Sequence, residues 1–178
     1  MIRRTVVAAL ALVAAVSLSS CATFTDNANA ARVGDVGLSR TDLEHYVHDA
    51  LEARDSADAP TELSGDDFRS IIERWIFDEL VRQYLEANQV GVTDADRATA
   101  EEQIRSSLES DGITVSDFVV GYEVESLAVR TAYQNYTDGS DKLLKFAQQQ
   151  DVYVDPVYGV WSIETGTVQA LGTSLDAG

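Results

Sequence analysis

Two histidines lie three residues apart, at a spacing that would place them on one face of a helix. His45 and His48 have acidic neighbours at Glu44, Asp49 and Glu52. Imidazole and carboxylate groups on one helical face can bind zinc or another transition metal. The sequence specifies no third strong ligand, so we expect a solvated helix face here and no metal site.

The carboxylates do not indicate a catalytic centre. Paired acids can perform general acid–base chemistry, but the thirty Asp and Glu residues are scattered through the chain. No nucleophile elbow, phosphate-binding loop or dinucleotide fingerprint is present. The acidic segments 55–67 and 138–141 lack the ligand spacing of an EF-hand. We therefore expect no catalytic residue, no cofactor and no enzymatic activity, and a small carboxylate hydrolase is the weakest alternative.

The first twenty residues are typical of an export signal. Arg3 and Arg4 precede an apolar run, Thr5–Val16, that is too short for a permanent membrane span. The following segment, Leu18–Cys21, resembles the bacterial lipobox, in which the chain is cut before a cysteine that then carries acyl chains. Cys21 is the only cysteine, and an unpaired cysteine is otherwise unusual in an exported protein. We predict a signal peptide over residues 1–20, lipidation at Cys21 and anchoring to the extracytoplasmic face of the cell membrane; simple secretion is the alternative.

The acidic balance restricts the partners of the chain. The formal net charge is −17, and it becomes −19 when Arg3 and Arg4 leave with the signal peptide. Such a charge opposes binding to nucleic acid and to anionic lipid. Acyl chains would therefore have to hold the protein at the membrane.

The longest apolar-periodic run, Ser64–Ala87, predicts a central helix. Ser64 and Asp67 form a capping box, and Asn88 and Gly91 mark the end. At about 100° per residue, the apolar residues fall on two opposite stripes: Phe68, Ile71, Ile72, Trp75 and Ile76, then Phe77, Leu80, Val81, Tyr84 and Leu85. A surface helix needs one stripe. We expect the first half to pack on the first helix and a terminal sheet, and the second half on the third and fourth helices.

The remaining segments predict a mainly α domain of about five helices with a small antiparallel sheet formed by the terminal segments. Gly34 and Asp35 indicate an early hairpin, with which two late extended segments, 152–154 and 158–163, would pair. The other predicted helices span residues 41–54, 93–108, 116–136 and 141–150, and the first is opened by a capping box from Thr41 to Glu44. The expected divisions are a tether over 21–30, the domain over 31–163 and a disordered tail over 164–178.

Aromatic residues on the second and fourth helices are the candidate peptide-binding groups. A tyrosine combines an apolar ring with a polar tip, which suits contact with an extended peptide and equally suits the edge of a core. We favour the core for these tyrosines and for Trp75, with peptide binding as the alternative. The candidate residues are Trp75, Phe77, Tyr84, Phe118, Tyr122, Tyr133 and Tyr136.

Three segments together resemble the N-terminal chaperone module of the SurA/PrsA-type extracytoplasmic foldases. They are ARVGDVGLSRTDLEHYV (Ala31–Val47), EANQVGVTDADRATAEEQI (Glu86–Ile104) and DVYVDPVYGVWS (Asp151–Ser162). In the third segment, Asp155 and Val157 stand where the family has Asn and Arg. The parvulin isomerase domain that usually accompanies this module has no counterpart here. The resemblance implies a SurA N-terminal-like helical domain that binds polypeptides without isomerising proline.

The resemblance and the lipobox give one leading functional expectation. The chain would be a membrane-anchored extracytoplasmic lipoprotein that binds unfolded or newly exported polypeptides without ATP. The alternative is an envelope assembly lipoprotein that uses the same apolar faces to hold one fixed protein partner. The sequence predicts no oligomeric state.

Overall fold

A computed structural model describes residues 28–52, 64–136 and 140–171. This part of the chain forms a mainly α fold with small antiparallel sheets from the terminal segments, which confirms the predicted class. None of its helices is both long and apolar enough to cross a membrane. The predicted signal peptide, Cys21 and residues 172–178 lie outside the described residues. The elements are β1 (Asn29–Val33), β2 (Val36–Ser39), α1 (Arg40–Glu52), α2 (Gly65–Ala87), α3 (Asp94–Asp111), α4 (Asp117–Asn135), α5 (Ser140–Ala147), β3 (Val152–Val154), β4 (Val160–Ser162) and β5 (Thr167–Gln169).

The early hairpin and the first late strand pair as predicted. β1 is the central strand of a sheet with the order β2-β1-β3, and both pairings are antiparallel. Gly34 has a φ of 58° in the tight turn between β1 and β2, a conformation that glycine adopts without steric cost. The expected tether is too long by two residues. Asn29 and Ala30 belong to β1, and Ala30 is fully buried.

The second late strand has a different partner from the one expected. β4 pairs with β5 and makes no ladder with the early hairpin. The predicted disordered tail over 164–178 is therefore wrong for the residues that form β5. Val168 is the reason, because its side chain is buried in the core and its backbone N–H donates to Glu73 Oε1 at 2.7 Å. Gly166, with a φ of 66°, supports the turn between the two strands.

The start of α1 differs from the predicted capping box. Ser39 Oγ accepts a hydrogen bond from the backbone N–H of Asp42 at 3.0 Å, so Ser39 is the cap and the helix begins at Arg40. The sequence contains two overlapping Ser/Thr-x-x-Asp/Glu patterns here, and the earlier one is used because β2 runs directly into the helix.

α2 begins at the capping box predicted from the sequence. Ser64 N–H donates to Asp67 Oδ2 at 2.8 Å, and Asp67 N–H donates back to Ser64 Oγ at 3.3 Å. At the other end the helix stops at Asn88, as expected, and the following residue Gln89 adopts the left-handed conformation with a φ of 60°. Val90 N–H reaches Leu85 O at 2.8 Å and closes a Schellman motif.

The two halves of α2 pack against different partners, as predicted. The first half contributes Ile72 and Ile76 to a core shared with α1 and the terminal strands. The second half contributes Val81 and Leu85 to a cluster with α4, which Leu143 of α5 joins. The expected contact of this half with α3 is wrong. α3 packs on another side of α4. The buried and partly buried side chains that meet there are Ala100 and Ile104 of α3 and Val120, Val124 and Ala128 of α4.

Candidate functional site

A groove opens between the middle of α2 and the first half of α4. It encloses about 430 Å³. Three of the predicted peptide-binding residues, Trp75, Phe118 and Tyr122, are brought together in it. The complete lining is Trp75, Asp78, Arg82, Asp117, Phe118, Gly121, Tyr122, Glu125 and Ser126. We call this feature the α2–α4 groove.

The α4 wall of the groove contains one residue without a side chain, Gly121. Gly121 is exposed, and no heavy atom lies within 4 Å of the place where a Cβ of this residue would sit. Five residues further on, Ser126 Oγ donates to Asp78 Oδ2 at 2.6 Å and joins the two helices. The helices are therefore held together beside a gap that no side chain fills.

The aromatic walls are fixed from behind by α1. The Phe118 ring stacks on His45, with ring centroids 4.3 Å apart and planes 17° apart. The Tyr122 ring lies 4.6 Å from the ring of Tyr46. The guanidinium of Arg74 lies 5.4 Å from the Tyr122 ring centroid and 5.5 Å from that of Tyr46, within the range of a cation–π contact. These contacts limit the rotamers of both aromatic side chains.

Burial keeps the phenol of Tyr122 in the groove wall, and that of Tyr46 behind it, neutral. Arg74 donates to the Tyr46 hydroxyl at 2.7 Å and forms an ion pair with Glu123 at 2.9 Å, while the Tyr46 hydroxyl donates to Glu123. Burial, and then the hydrogen bond to Glu123, raise the pKa of Tyr46. Burial also raises the pKa of Tyr122, whose hydroxyl is buried without a hydrogen-bond partner. The aromatic walls are thus uncharged near neutral pH.

The charges at the rim of the groove are paired within the domain. Asp78, which is buried, binds Arg130 at 2.8 Å. Arg82 binds Glu79 at 3.0 Å, and Glu125 lies 2.6 Å from Arg97. Because these charges are satisfied internally, the open space presents mainly apolar aromatic surface. It can accept apolar side chains of a partner.

The histidine pair lies beside a carboxylate that already has other partners. His45 and His48 lie 3.2 Å and 3.5 Å from Asp49, which also accepts a hydrogen bond from Ser116 Oγ. That hydrogen bond is the main cause of the lowered pKa of Asp49. Within residues 28–52, 64–136 and 140–171, no three His, Cys, Asp or Glu side chains are grouped so that they could hold a metal ion.

The other predicted peptide-binding residues lie away from the groove. Phe77 is 44% exposed. It follows Trp75 by two residues, so the two side chains point about 160° apart around the helix and Phe77 lies on another face. Tyr84 is buried at 4% exposure, so its assignment as a contact residue is wrong for this structure. Its ring packs against three others, with centroids 6.3, 6.0 and 5.6 Å away: Tyr133, Tyr136 and Phe146.

Two structural residues of the late segment were not assigned a role from the sequence. Asp155 is buried, forms an ion pair with Arg40 and accepts a hydrogen bond from Val157 N–H at 2.9 Å. Gly159 has a φ of 143°, and a Cβ there would come within 2.3 Å of the carbonyl oxygen of Gln169. Asp-Pro-x-x-Gly is a turn signal, but only the pairing of β4 with β5 shows why a side chain is excluded at Gly159.

The fold and the groove together define a mainly α domain with an aromatic cleft between two of its helices. Comparison with protein-family models, with curated proteins and with solved structures found no match.

Proposed function

We propose that this domain binds apolar segments of unfolded or newly exported polypeptides in the α2–α4 groove. Lipid on Cys21 holds it at the extracytoplasmic face of the cell membrane. Binding needs neither ATP nor proline isomerisation. The observation that carries the proposal is the 430 Å³ aromatic groove that Gly121 leaves open.

The chemistry of the groove suits a sequence-tolerant interaction. Its volume lies within the range of small-ligand sites and accommodates one or two large apolar side chains. Removing apolar surface from water there contributes about 25 cal/mol per Å², from which the entropic cost of association is subtracted. Trp75 and Tyr122 offer rigid rings at low entropic cost. Transient burial of client side chains in the groove would slow client aggregation.

Two features outside the groove support the same function. Lipidation at the lipobox-like segment ending in Cys21 would hold the domain where exported chains emerge, and three segments resemble the SurA/PrsA chaperone module. The net charge of −19 on the mature chain keeps the binding protein itself soluble.

The test fills the groove without removing any native side chain. Gly121→Leu places a leucine in the open space, where no neighbouring atom lies within 4 Å of its Cβ. Gly121→Ala is the matched control, because it adds one methyl group and leaves most of the volume free. The purified mature lipoprotein is assayed in detergent for suppression of aggregation of several unrelated clients. We expect Gly121→Leu to lose most of this protection and Gly121→Ala to retain it.

Two outcomes would contradict the proposal. Equal protection by Gly121→Leu and the wild type would show that clients bind elsewhere. A wild-type protein that protects no client, but retains one stoichiometric envelope protein through this groove, would identify an assembly lipoprotein instead. Thermal unfolding of both variants checks that any loss of protection comes from a folded domain.

A further inference from the structure

Three exposed apolar residues lie at or just beyond the open end of the β4–β5 hairpin, opposite its turn. Val157, Val160 and Leu171 have exposed fractions of 73%, 51% and 56%. Val160 is the strand partner of Gln169, and Leu171 follows Gln169 by two residues, or about 7 Å. Val157 precedes Val160 by three residues. We call these three residues the hairpin surface.

The hairpin surface lies next to the point where the chain enters the domain. Asp155 N–H donates to Ala30 O at 2.9 Å. Val157 is two residues beyond Asp155, and Ala30 is the second residue of β1. The first strand and the hairpin surface therefore share one end of the molecule.

The tether to the proposed lipid is short compared with the domain. Seven residues lie between Cys21 and Asn29, which makes eight Cα–Cα steps. Eight fully extended steps span at most about 29 Å, and a flexible chain of that length in general averages about 16 Å. A domain of this size is roughly 35 Å across. If Cys21 is acylated, the end of the domain that carries Asn29 must face the bilayer.

We propose that the hairpin surface contacts the interfacial layer of the lipid bilayer and orients the domain on it. This inference rests on the lipidation of Cys21 in the proposed function. Clustered exposed apolar side chains commonly mark such contacts, and apolar groups at this depth strengthen a single lipid anchor. Two acids near this surface are paired within the domain, Asp155 with Arg40 and Asp66 with Arg69, which reduces their repulsion of an anionic surface.

The experiment uses an environment-sensitive probe on the hairpin surface. Acylation blocks the thiol of Cys21, so Val157→Cys gives the mature lipoprotein one free thiol for a nitrobenzoxadiazole label. Ile113→Cys is the matched control: Ile113 is 40% exposed in the α3–α4 turn. The two labelling sites lie near opposite ends of α1. Ile113 is three residues from Ser116, which contacts Asp49 in the C-terminal half of α1. Val157 is two residues from Asp155, which contacts Arg40 at the start of α1.

Both labelled proteins are reconstituted in vesicles of phosphatidylcholine and phosphatidylglycerol. We expect the probe at residue 157 to shift its emission to the blue and to be quenched by nitroxide lipids several-fold more than the probe at residue 113. Flotation of the vesicles is measured in parallel. It should be lost for Cys21→Ala.

The outcomes separate this inference from the anchor. Flotation with an aqueous probe at residue 157 overturns the bilayer contact and leaves the anchor standing. Failure of the wild-type protein to float overturns both. A probe that is shielded only in native envelopes would assign the hairpin surface to a protein partner. Crosslinking between labelled copies would assign it to a second copy of this chain. Either result overturns the inference.

Discussion

The two ends of the contact between α2 and α4 carry similar aromatic residues, but one end is an open groove and the other is closed by packing. At the open end, Trp75 and Tyr122 line a groove of about 430 Å³. At the closed end, Tyr84 is buried against Tyr133 and Tyr136. Both ends place aromatic rings between the same two helices. The rings alone therefore do not decide whether such a contact becomes core or binding surface.

The difference lies in what covers each end. α5 places Phe146 over Tyr84, with ring centroids 5.6 Å apart, and adds Leu143 to the same cluster. At the open end the neighbouring position on α4 is Gly121, which provides no side chain. A third element and one missing side chain thus separate a packed core from a groove.

The largest effect on stability is expected when the ring of Tyr84 is removed from the closed end. We expect Tyr84→Ala to lower the free energy of unfolding by about 3–5 kcal/mol, because a buried aromatic ring leaves a cavity that its neighbours cannot fill. Denaturant unfolding measures the change. Phe77→Ala, on the same helix but exposed, should stay within about 0.5 kcal/mol of the wild type. Similar losses from both changes would mean that the closed end is not packed as described.

The sequence predicted the helices better than their partners. Local signals were sufficient for α2 and α3, because Ser64 with Asp67 and Thr93 with Asp96 form complete capping boxes. The two stripes of α2 correctly indicated two packing environments. For the second stripe the predicted contact with α4 is confirmed and the predicted contact with α3 is wrong, since helical periodicity gives the direction of a face and not the element that meets it.

The site was predictable in its residue types and not in its location. Trp75, Phe118 and Tyr122 were candidates from the sequence, and so was Tyr84, which proved to be core. What distinguishes them is the position of α5, a contact that follows from long-range packing. Gly121 is a local signal for the groove. An isolated glycine within a helical pattern often has a packing or functional reason.

Loss of the Asp78–Arg130 ion pair, which joins α2 to α4 between the two ends, should have the next largest effect on stability. Asp78 is buried and accepts hydrogen bonds from Arg130 and Ser126. Asp78→Ala should lower the free energy of unfolding by about 2–3 kcal/mol, less than for a fully buried pair because the side chain of Arg130 is 39% exposed and can be hydrated. Denaturant unfolding again provides the measurement.

A second ion pair, between Glu125 of α4 and Arg97 of α3, is the control for Asp78. Glu125 and Arg97 are each 40% exposed, so Glu125→Ala should cost no more than about 1 kcal/mol. If Asp78→Ala costs as little as this, the two ends are not coupled through Asp78. The groove would then be free to widen independently of the core.

The smallest effect is expected from one hydroxyl group on the groove wall. The Tyr122 hydroxyl is buried without a partner, so Tyr122→Phe should raise the free energy of unfolding by about 1 kcal/mol at neutral pH. Burial raises the pKa of Tyr122 in the folded state above the unfolded value of about 10. Folding therefore favours the neutral phenol, and the stability present below about pH 10 is lost as the pH rises towards the folded pKa.

Tyr122→Phe should accordingly weaken the alkaline loss of stability, measured by denaturant unfolding between about pH 9 and pH 11. Tyr133, whose pKa is also raised by burial but which is partly exposed at the closed end, provides the comparison, and Tyr133→Phe should change the alkaline slope less. An unchanged slope in Tyr122→Phe would mean that water reaches the hydroxyl in the folded state. The groove would then have a hydrated wall, and a client side chain would have to displace that water, which weakens the apolar contribution to binding at the open end.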